Sequence, residues 1–386
     1  MFEMADYINR GYNFLHNRSF KENKKLSSLM LYATDLCDSA CKHCLIWAKR
    51  PVTHLPFETI KGIMQSKCIT KRTAIGLEGG EFLLHPQADE ILKWFVDNHP
   101  NFDLFSNCLK PESLIKAVKA YTPHRLYISL DGTDETYRHM RGKDGYNSVL
   151  QVIQAVKDVL PVFVMFTLSP YNDFEDLEHV AAICKQHNVF LRVGIYNNIP
   201  FFDTIEAVQD SFFGQHKNEE ALTFSKLKKL KETITTEVLS DDEKIKQVDY
   251  TAAIPSIIKD FGENYDYVLL YKNWISQKMR LKCHSILDSL IVLPNGDVPI
   301  CQSQSKKLGN IYNNSLDEIF NSSESNKIQQ HYHENCNQCW VSYHRKYDIV
   351  LYRTFEKYFG KWATSKFLGY YKWDEDESLT YKDVVK

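Results

Sequence analysis

No apolar run in this chain approaches the ~20 residues that a membrane-spanning helix needs. The first residues, MFEMADYINRGYNF, lack the charged-then-apolar layout of a secretory signal. An excess of one charge is missing too: 47 Lys and Arg stand against 49 Asp and Glu in 386 residues, a net charge of −2. That leaves no broad field to hold nucleic acid or a lipid surface. There are no internal repeats and no low-complexity tract. These absences make the expectation a cytoplasmic protein with no transmembrane segment and no nucleic-acid partner. With 44% hydrophobic and 25% charged residues, the composition is that of an ordinary globular chain, and the length suits two or three structural units.

Cysteine is plentiful by contrast, with ten, at 37, 41, 44, 68, 108, 184, 283, 301, 336 and 339. Without a secretory signal, clustered cysteines read as metal ligands rather than disulfides. Cys68, Cys108 and Cys184 stand alone and read as small buried hydrophobes.

From 30 to 200 short apolar runs alternate with amphipathic stretches. The runs at 29–33, 73–77, 103–106, 125–130, 161–168 and 190–195 predict strands. Between them, 58–65, 87–98, 112–121, 146–159 and 174–187 predict helices; Leu92, Phe95 and Val96 in the second follow the i, i+3, i+4 spacing of a buried face. Such alternation predicts βαβ units around a parallel sheet. Six units are too few to close an eight-stranded barrel, so the expected fold is α/β, a partial (β/α)6 barrel. Residues 1–29 form an N-terminal extension. The stretch 201–280 is polar and reads as a helical insertion or bridge, with helices at 226–234 and 241–248. A smaller unit spans 281–340. In it, 289–293 and 298–301 flank Pro294-Asn295-Gly296, a hairpin signal, and Ser315-Leu-Asp-Glu318 reads as a capping box. An aromatic and basic tail covers 341–386.

The segment Cys37-Asp-Ser-Ala-Cys41-Lys-His-Cys44 places three thiolates on one loop after a predicted strand. Soft thiolate is the ligand of iron–sulfur clusters, and three ligands leave one iron of a cubane open. The spacing resembles the signature of the radical S-adenosylmethionine (SAM) superfamily. That resemblance implies a [4Fe-4S] cluster whose open iron is chelated by SAM, reductive cleavage of SAM, and a 5′-deoxyadenosyl radical that abstracts hydrogen from substrate. It puts the ring of His43 near the adenine. The motifs that follow keep family order: Gly79-Gly80-Glu81 for the SAM amino group, Ser106-Asn107 for the ribose, Ser129-Leu-Asp131-Gly132, and Arg141-Gly142 for the SAM carboxylate. Asn172 matches a further polar position. Cys108 stands where the family carries glycine. Ligand sites of parallel α/β folds lie at the carboxyl ends of strands, where these motifs fall.

Cys283, Cys301, Cys336 and Cys339 can form a closed four-thiolate site. Their spacing resembles the SPASM auxiliary-cluster domain, or the shorter twitch domain, because no further cysteine follows Cys339. The resemblance implies one auxiliary iron–sulfur cluster, [4Fe-4S] in type, that accepts an electron from the substrate radical. Zinc is the alternative at both sites, since short cysteine loops also bind it.

The chemistry implied is oxidative modification or cross-linking of a peptide or protein, with a flavodoxin or ferredoxin as electron donor and a separate peptide-recognition protein. The alternatives are dehydrogenation of a small molecule such as a sugar or aminocyclitol, and a non-catalytic zinc-binding protein. No residue is assigned as catalytic base or hydrogen donor.

Overall fold

The half-barrel forms because one face of each strand is apolar and packs beneath the helices, while the other face carries aromatic and polar side chains, Asp103, Arg125 and Arg192 among them. In this computed structural model, residues 4–169, 171–196, 253–275, 279–337, 339–368 and 372–373 are described. The helices expected at 226–234 and 241–248 lie outside them. Six parallel strands follow in sequence: β1 (Ser28–Tyr32), β2 (Ala74–Glu78), β3 (Phe102–Ser106), β4 (Arg125–Ser129), β5 (Val162–Leu168) and β6 (Phe190–Ile195). The main helices between them are α2 (Phe57–Met64), α3 (Ala88–Asn98), α4 (Pro111–Tyr121), α5 (Asp134–Arg141), α6 (Tyr146–Val156) and α7 (Phe174–His187), with α1 (Met4–Ser19) before the sheet. Within α3 the buried face is Ile91, Leu92 and Phe95, while the expected Val96 is exposed.

Alternation sorts the strand side chains. Leu29 and Leu31 of β1 enter the main core beneath the helices, whereas Met30 and Tyr32 join Ile291 and Phe105 in a second cluster. That cluster lies inside the curl, so the concave face ends in side chains able to meet a ligand.

The carboxyl-terminal part departs from the expected hairpin. It contains α8 (Glu263–Ile275), the two-residue strand β7 (Met279–Arg280), β8 (Ser289–Val292), β9 (Asp297–Cys301) and β10 (Gln304–Asn310). β8 does not ladder with β9; it pairs parallel with β1 as the seventh strand, in the order β6-β5-β4-β3-β2-β1-β8. The Asn-Gly turn is present, with Gly296 at φ +83° and the Leu293 amide bonded to the Asp297 carbonyl. The antiparallel partner of β9 is instead β10. Local turn chemistry identified the reversal, but β1 offered the apolar Ser28–Leu31 edge as a longer partner.

Two helices follow, α9 (Leu316–Asn321), opened by the expected Ser315–Glu318 capping box, and α10 (Ser323–Asn335). The aromatic stretch forms α11 (Ser342–Phe367), broken at Gly360. Its first half is buried, with Arg345 and Asp348 fully enclosed, and its second half exposes Tyr358, Phe359 and Trp362. Among the described residues, no helix is long and apolar enough to cross a membrane.

Candidate functional site

At the carboxyl ends of the strands lies a cavity of about 270 Å³. Its lining includes Cys37, Cys41, His43, Cys44, Gly79, Gly80, Asn107, Ser129 and Arg141. Nine of the sequence-derived residues therefore meet in one place, brought there by strand ends and the loops that follow them.

The cysteine loop is held from two sides. The Gly80 amide donates to the Thr34 carbonyl at 2.7 Å and the Glu81 amide to the Leu36 carbonyl at 2.8 Å. A Cβ at Gly80 would overlap the Leu36 carbonyl, so this glycine serves the approach of β2 to the loop. On the other side, Ala40 and Lys42 amides donate to the Arg141 and Met140 carbonyls at 3.0 and 2.9 Å. Gly142 ends α5 at φ +63° with the Ala40 carbonyl against it, and a side chain there would be strained and crowded. The backbone of the loop is fixed by hydrogen bonds independent of any cluster.

Arg141 reaches Asp131 twice, Nε at 2.6 Å and Nη2 at 2.5 Å, and its Nη1 lies 3.8 Å from the Cys41 sulfur. Asp131 is fully buried and also accepts the Thr167 amide. The guanidinium thus reaches the cavity wall already neutralised. Asn107 donates from Nδ2 to Asp38 at 2.9 Å, with the Cys37 sulfur 3.9 Å away. Cys108 is buried and adopts φ +61°, the left-handed conformation that suits the glycine of the family motif. His43 lines the cavity with Nδ1 buried and unpartnered. Burial pushes its imidazole down to about 4, so the ring is neutral at physiological pH. Ser129 sits at the end of β4 in the cavity wall.

Two residues of the motif series lie outside the cavity lining. Glu81 is buried outside the cavity lining. Its oxygens accept the Ser106 hydroxyl at 3.0 Å and the Asn107 amide at 2.8 Å. Burial raises its carboxyl to about 7. Asn172 is also outside the lining; its Nδ2 bonds the Asp131 and Thr167 carbonyls, tying two strand-end loops together.

Motif reading assigns no role to Glu78, Tyr32 or Gln302. Glu78 and Tyr32 end adjacent strands β2 and β1 and both line the cavity. The Tyr32 hydroxyl donates to Glu78 and accepts from Gln302 Nε2 at 2.8 Å. The other Glu78 oxygen, Oε2, is buried and has no hydrogen-bond partner. Gln302 directly follows Cys301, so the chain of contacts runs from the second cysteine set into the cavity. A tyrosine and a glutamate two strands' ends apart carry no local signal of meeting.

The second set is assembled around Arg345. Cys283 lies within electrostatic reach of Cys339 and Cys301, and Cys301 within reach of Cys339 and Cys336. Fully buried Arg345 donates to the Cys339 carbonyl at 3.1 Å, the Leu281 carbonyl at 2.9 Å and Asn337 Oδ1 at 3.0 Å. Asp348, 3.4 Å away, balances its charge. Among the described residues, no three His, Cys, Asp or Glu side chains converge tightly enough to hold one metal ion. Thiolate donors fit iron–sulfur clusters.

The model of the Radical SAM superfamily matches residues 31–184, and the model of the SPASM iron–sulfur cluster-binding domain matches residues 283–340. The chain belongs to the radical SAM superfamily and carries a SPASM-type auxiliary-cluster domain. Its cofactors are accordingly SAM, the [4Fe-4S] cluster that binds it, and an auxiliary iron–sulfur cluster. Among solved structures, Streptococcus suis SuiB bound to S-adenosylmethionine has a TM-score of 0.51 at 14% identity, over 80% of this chain and 68% of that one. SuiB bound to its precursor peptide SuiA has a TM-score of 0.50 at 12% identity, over 80% and 67%. Native anSMEcpe with bound AdoMet has a TM-score of 0.50 at 16% identity, over 88% of this chain and 98% of that one. At these identities the likeness is one of fold. No curated protein matches the sequence.

Proposed function

We propose that this protein is a radical SAM oxidase that modifies or cross-links a peptide or protein side chain. The observation that carries the reading is that the first cysteine set lines a cavity whose wall residue Tyr32 accepts from Gln302, the neighbour of Cys301 in the second set. Loaded, the two sites supply a 5′-deoxyadenosyl radical and an acceptor for one electron, which together suit a net oxidation better than a rearrangement.

In this reading Cys37, Cys41 and Cys44 hold the SAM cluster, and Cys283, Cys301, Cys336 and Cys339 hold a single auxiliary cluster of twitch type. Gly79, Gly80, Asn107, Ser129, Arg141 and His43 border SAM. Glu81 orders the end of β3 by accepting from Ser106 and Asn107. His43 offers a flat ring in the cavity wall. SuiB, a structural relative, is known with a bound precursor peptide, which favours a peptide substrate here. A flavodoxin or ferredoxin serves as electron donor, and a separate recognition protein presents the peptide.

One observation favours a compact substrate group. The outer edge of β6 is occupied by Asn264, which accepts the Val193 amide at 2.8 Å and donates to the Leu191 carbonyl at 2.9 Å. A peptide therefore does not add as a strand there, and a small-molecule dehydrogenase is the second reading.

Anaerobic reconstitution with iron and sulfide counting, followed by a 5′-deoxyadenosine assay, tests the class. Zinc at both sites with no iron uptake would sink it. Short peptides encoded beside the gene, assayed by mass spectrometry against sugars and aminocyclitols, separate the two substrate readings.

A further inference from the structure

The concave face of the half-barrel holds a second cavity, at the ends of the strands opposite to the SAM motifs. It measures about 90 Å³ and is walled by Ser28, Ala74, Asp103 and Arg125 at the amino ends of β1 to β4. Tyr7 and Arg10 of α1 cover it on one side, and Tyr343 and Tyr347 of α11 on the other. Phe105 and Ser342 line both this chamber and the cavity of the cysteine loop, so the two spaces adjoin.

Two buried polar atoms of the chamber have no partner. Tyr347 is 4% exposed and its hydroxyl makes no hydrogen bond; Asp103 is 7% exposed and its Oδ1 is likewise unmet. They are of opposite kinds, since a phenol can donate and an ionised carboxylate can only accept. Leaving both unmade is costly, and such atoms beside a cavity mark where a ligand supplies the missing partners. Three of the lining guanidiniums already have acidic neighbours. Arg10 bonds Asp288, Arg125 bonds Asp6 and faces Asp103 Oδ2 at 3.7 Å, and Arg192 acts on Glu78. The fourth, Arg72, is exposed and has no side-chain hydrogen bond or ion pair among the described residues. The chamber thus has one donor, one acceptor and one cation to spare.

We propose that this chamber is a substrate subsite for a carboxylate that carries an N–H beside it. Tyr347 and Arg72 meet the carboxylate, and Asp103 Oδ1 accepts the neighbouring N–H. A peptide supplies this chemistry at its C-terminal residue or at an acidic side chain. Phe105 and Tyr127, stacked with centroids 4.5 Å apart, give the carbon atoms of that residue an apolar wall. Its neighbour in the peptide then lies against Phe105 and Ser342, at the border of the cavity that holds the cysteine loop. The inference rests on the peptide-oxidase reading and adds the kind of residue that flanks the modified one.

The test is equilibrium dialysis of the anaerobically reconstituted protein, unreduced and saturated with SAM so that the open iron is occupied. The probes are N-acetylglycine, a C-terminal carboxylate beside its N–H; the α-amide of N-acetylaspartate, a side-chain carboxylate; and N-acetylglycinamide, which has no carboxylate. At least one carboxylate is expected to bind about tenfold tighter than N-acetylglycinamide, the scale of a charge-assisted hydrogen bond, and the tighter of the two names the source. Tyr347→Phe should weaken that probe about tenfold, as loss of a hydrogen bond to a charged group does, without lowering the melting temperature, because it removes a hydroxyl that nothing in the fold satisfies. Arg72→Gln should weaken it about two- to threefold, the worth of an exposed ion pair. The proposal is overturned if N-acetylglycinamide binds as tightly as both carboxylates, or if Tyr347→Phe leaves carboxylate binding unchanged. Reduction of the same samples reads 5′-deoxyadenosine formation separately: its absence with the carboxylate still bound would count against the oxidase reading and not against the chamber.

Discussion

Cys37, Cys41 and Cys44 come from one short loop, whereas Cys283, Cys301 and the Cys336–Cys339 pair are gathered from three places along the chain. The loop is set by backbone hydrogen bonds to the end of β2 and the end of α5, so its shape is a local property of the barrel. The second set is drawn from separate elements, with Cys301 at the end of β9 and Cys336 capping α10. It depends on a buried guanidinium, Arg345, that stitches Leu281, Asn337 and Cys339 together. The first site is thus fixed by a local backbone frame, and the second by joining elements distant in the chain.

The largest effect separating the two comes from the thiols. Replacing Cys37, Cys41 and Cys44 by Ala is expected to abolish 5′-deoxyadenosine formation from SAM. Replacing Cys336 and Cys339 is expected to spare part of that cleavage while stopping product formation, with chromatography reading both. Folded variants that behaved alike would break the comparison. Next comes Arg345→Met, which strands buried Asp348 without its partner. It is expected to lower stability by about 3–5 kcal/mol in a urea titration and to release iron from the second site before the first.

Gly80→Ala tests the frame of the first loop. Overlap with the Leu36 carbonyl is expected to cost about 1–3 kcal/mol, and to lower iron retention at the first site with the second site spared, as electron paramagnetic resonance would show. The smallest effect concerns pH. Burial raises Glu81 to about 7 from an ordinary 4.5, so the folded state binds this proton more tightly than the unfolded one. Ionising Glu81 therefore costs stability as pH rises through that window, at most about 1.4 kcal/mol per pH unit. Glu81→Gln is expected to flatten the fall in melting temperature of the cluster-free protein between pH 5 and 7; an equal slope in both proteins would remove burial of Glu81 as the cause.

The barrel strands were legible because each is a short apolar run bounded by turn residues, and the six expected runs all became parallel strands. The partner of β8 was not legible. Pairing with β1 is decided by an edge far away in sequence, while the Asn-Gly turn beside it argued for a hairpin. Helix α5 was hidden for another reason: Asp134–Arg141 is almost wholly polar and gives no apolar stripe. The same division holds at the site. The cysteine loop, the glycine pair and Arg141 were found because their spacing is local. Glu78, Tyr32, Gln302 and Arg345 matter through contacts between distant segments, which no spacing records. Glu81 was found in its motif, yet its oxygens turned toward β3.

The parallel pairing of β8 with β1 joins Ser28 to Ser289, 261 residues apart. During synthesis the first six strands leave the ribosome well before the seventh, and until then β1 presents an unpaired edge. Such an edge is an invitation to self-association, and a closure so distant in sequence is slow. A chain cut after the barrel would keep this hazard permanently. Here the segment that carries the second cysteine set also ends the barrel's exposure, so completing the sheet and completing the second site are steps of one folding event.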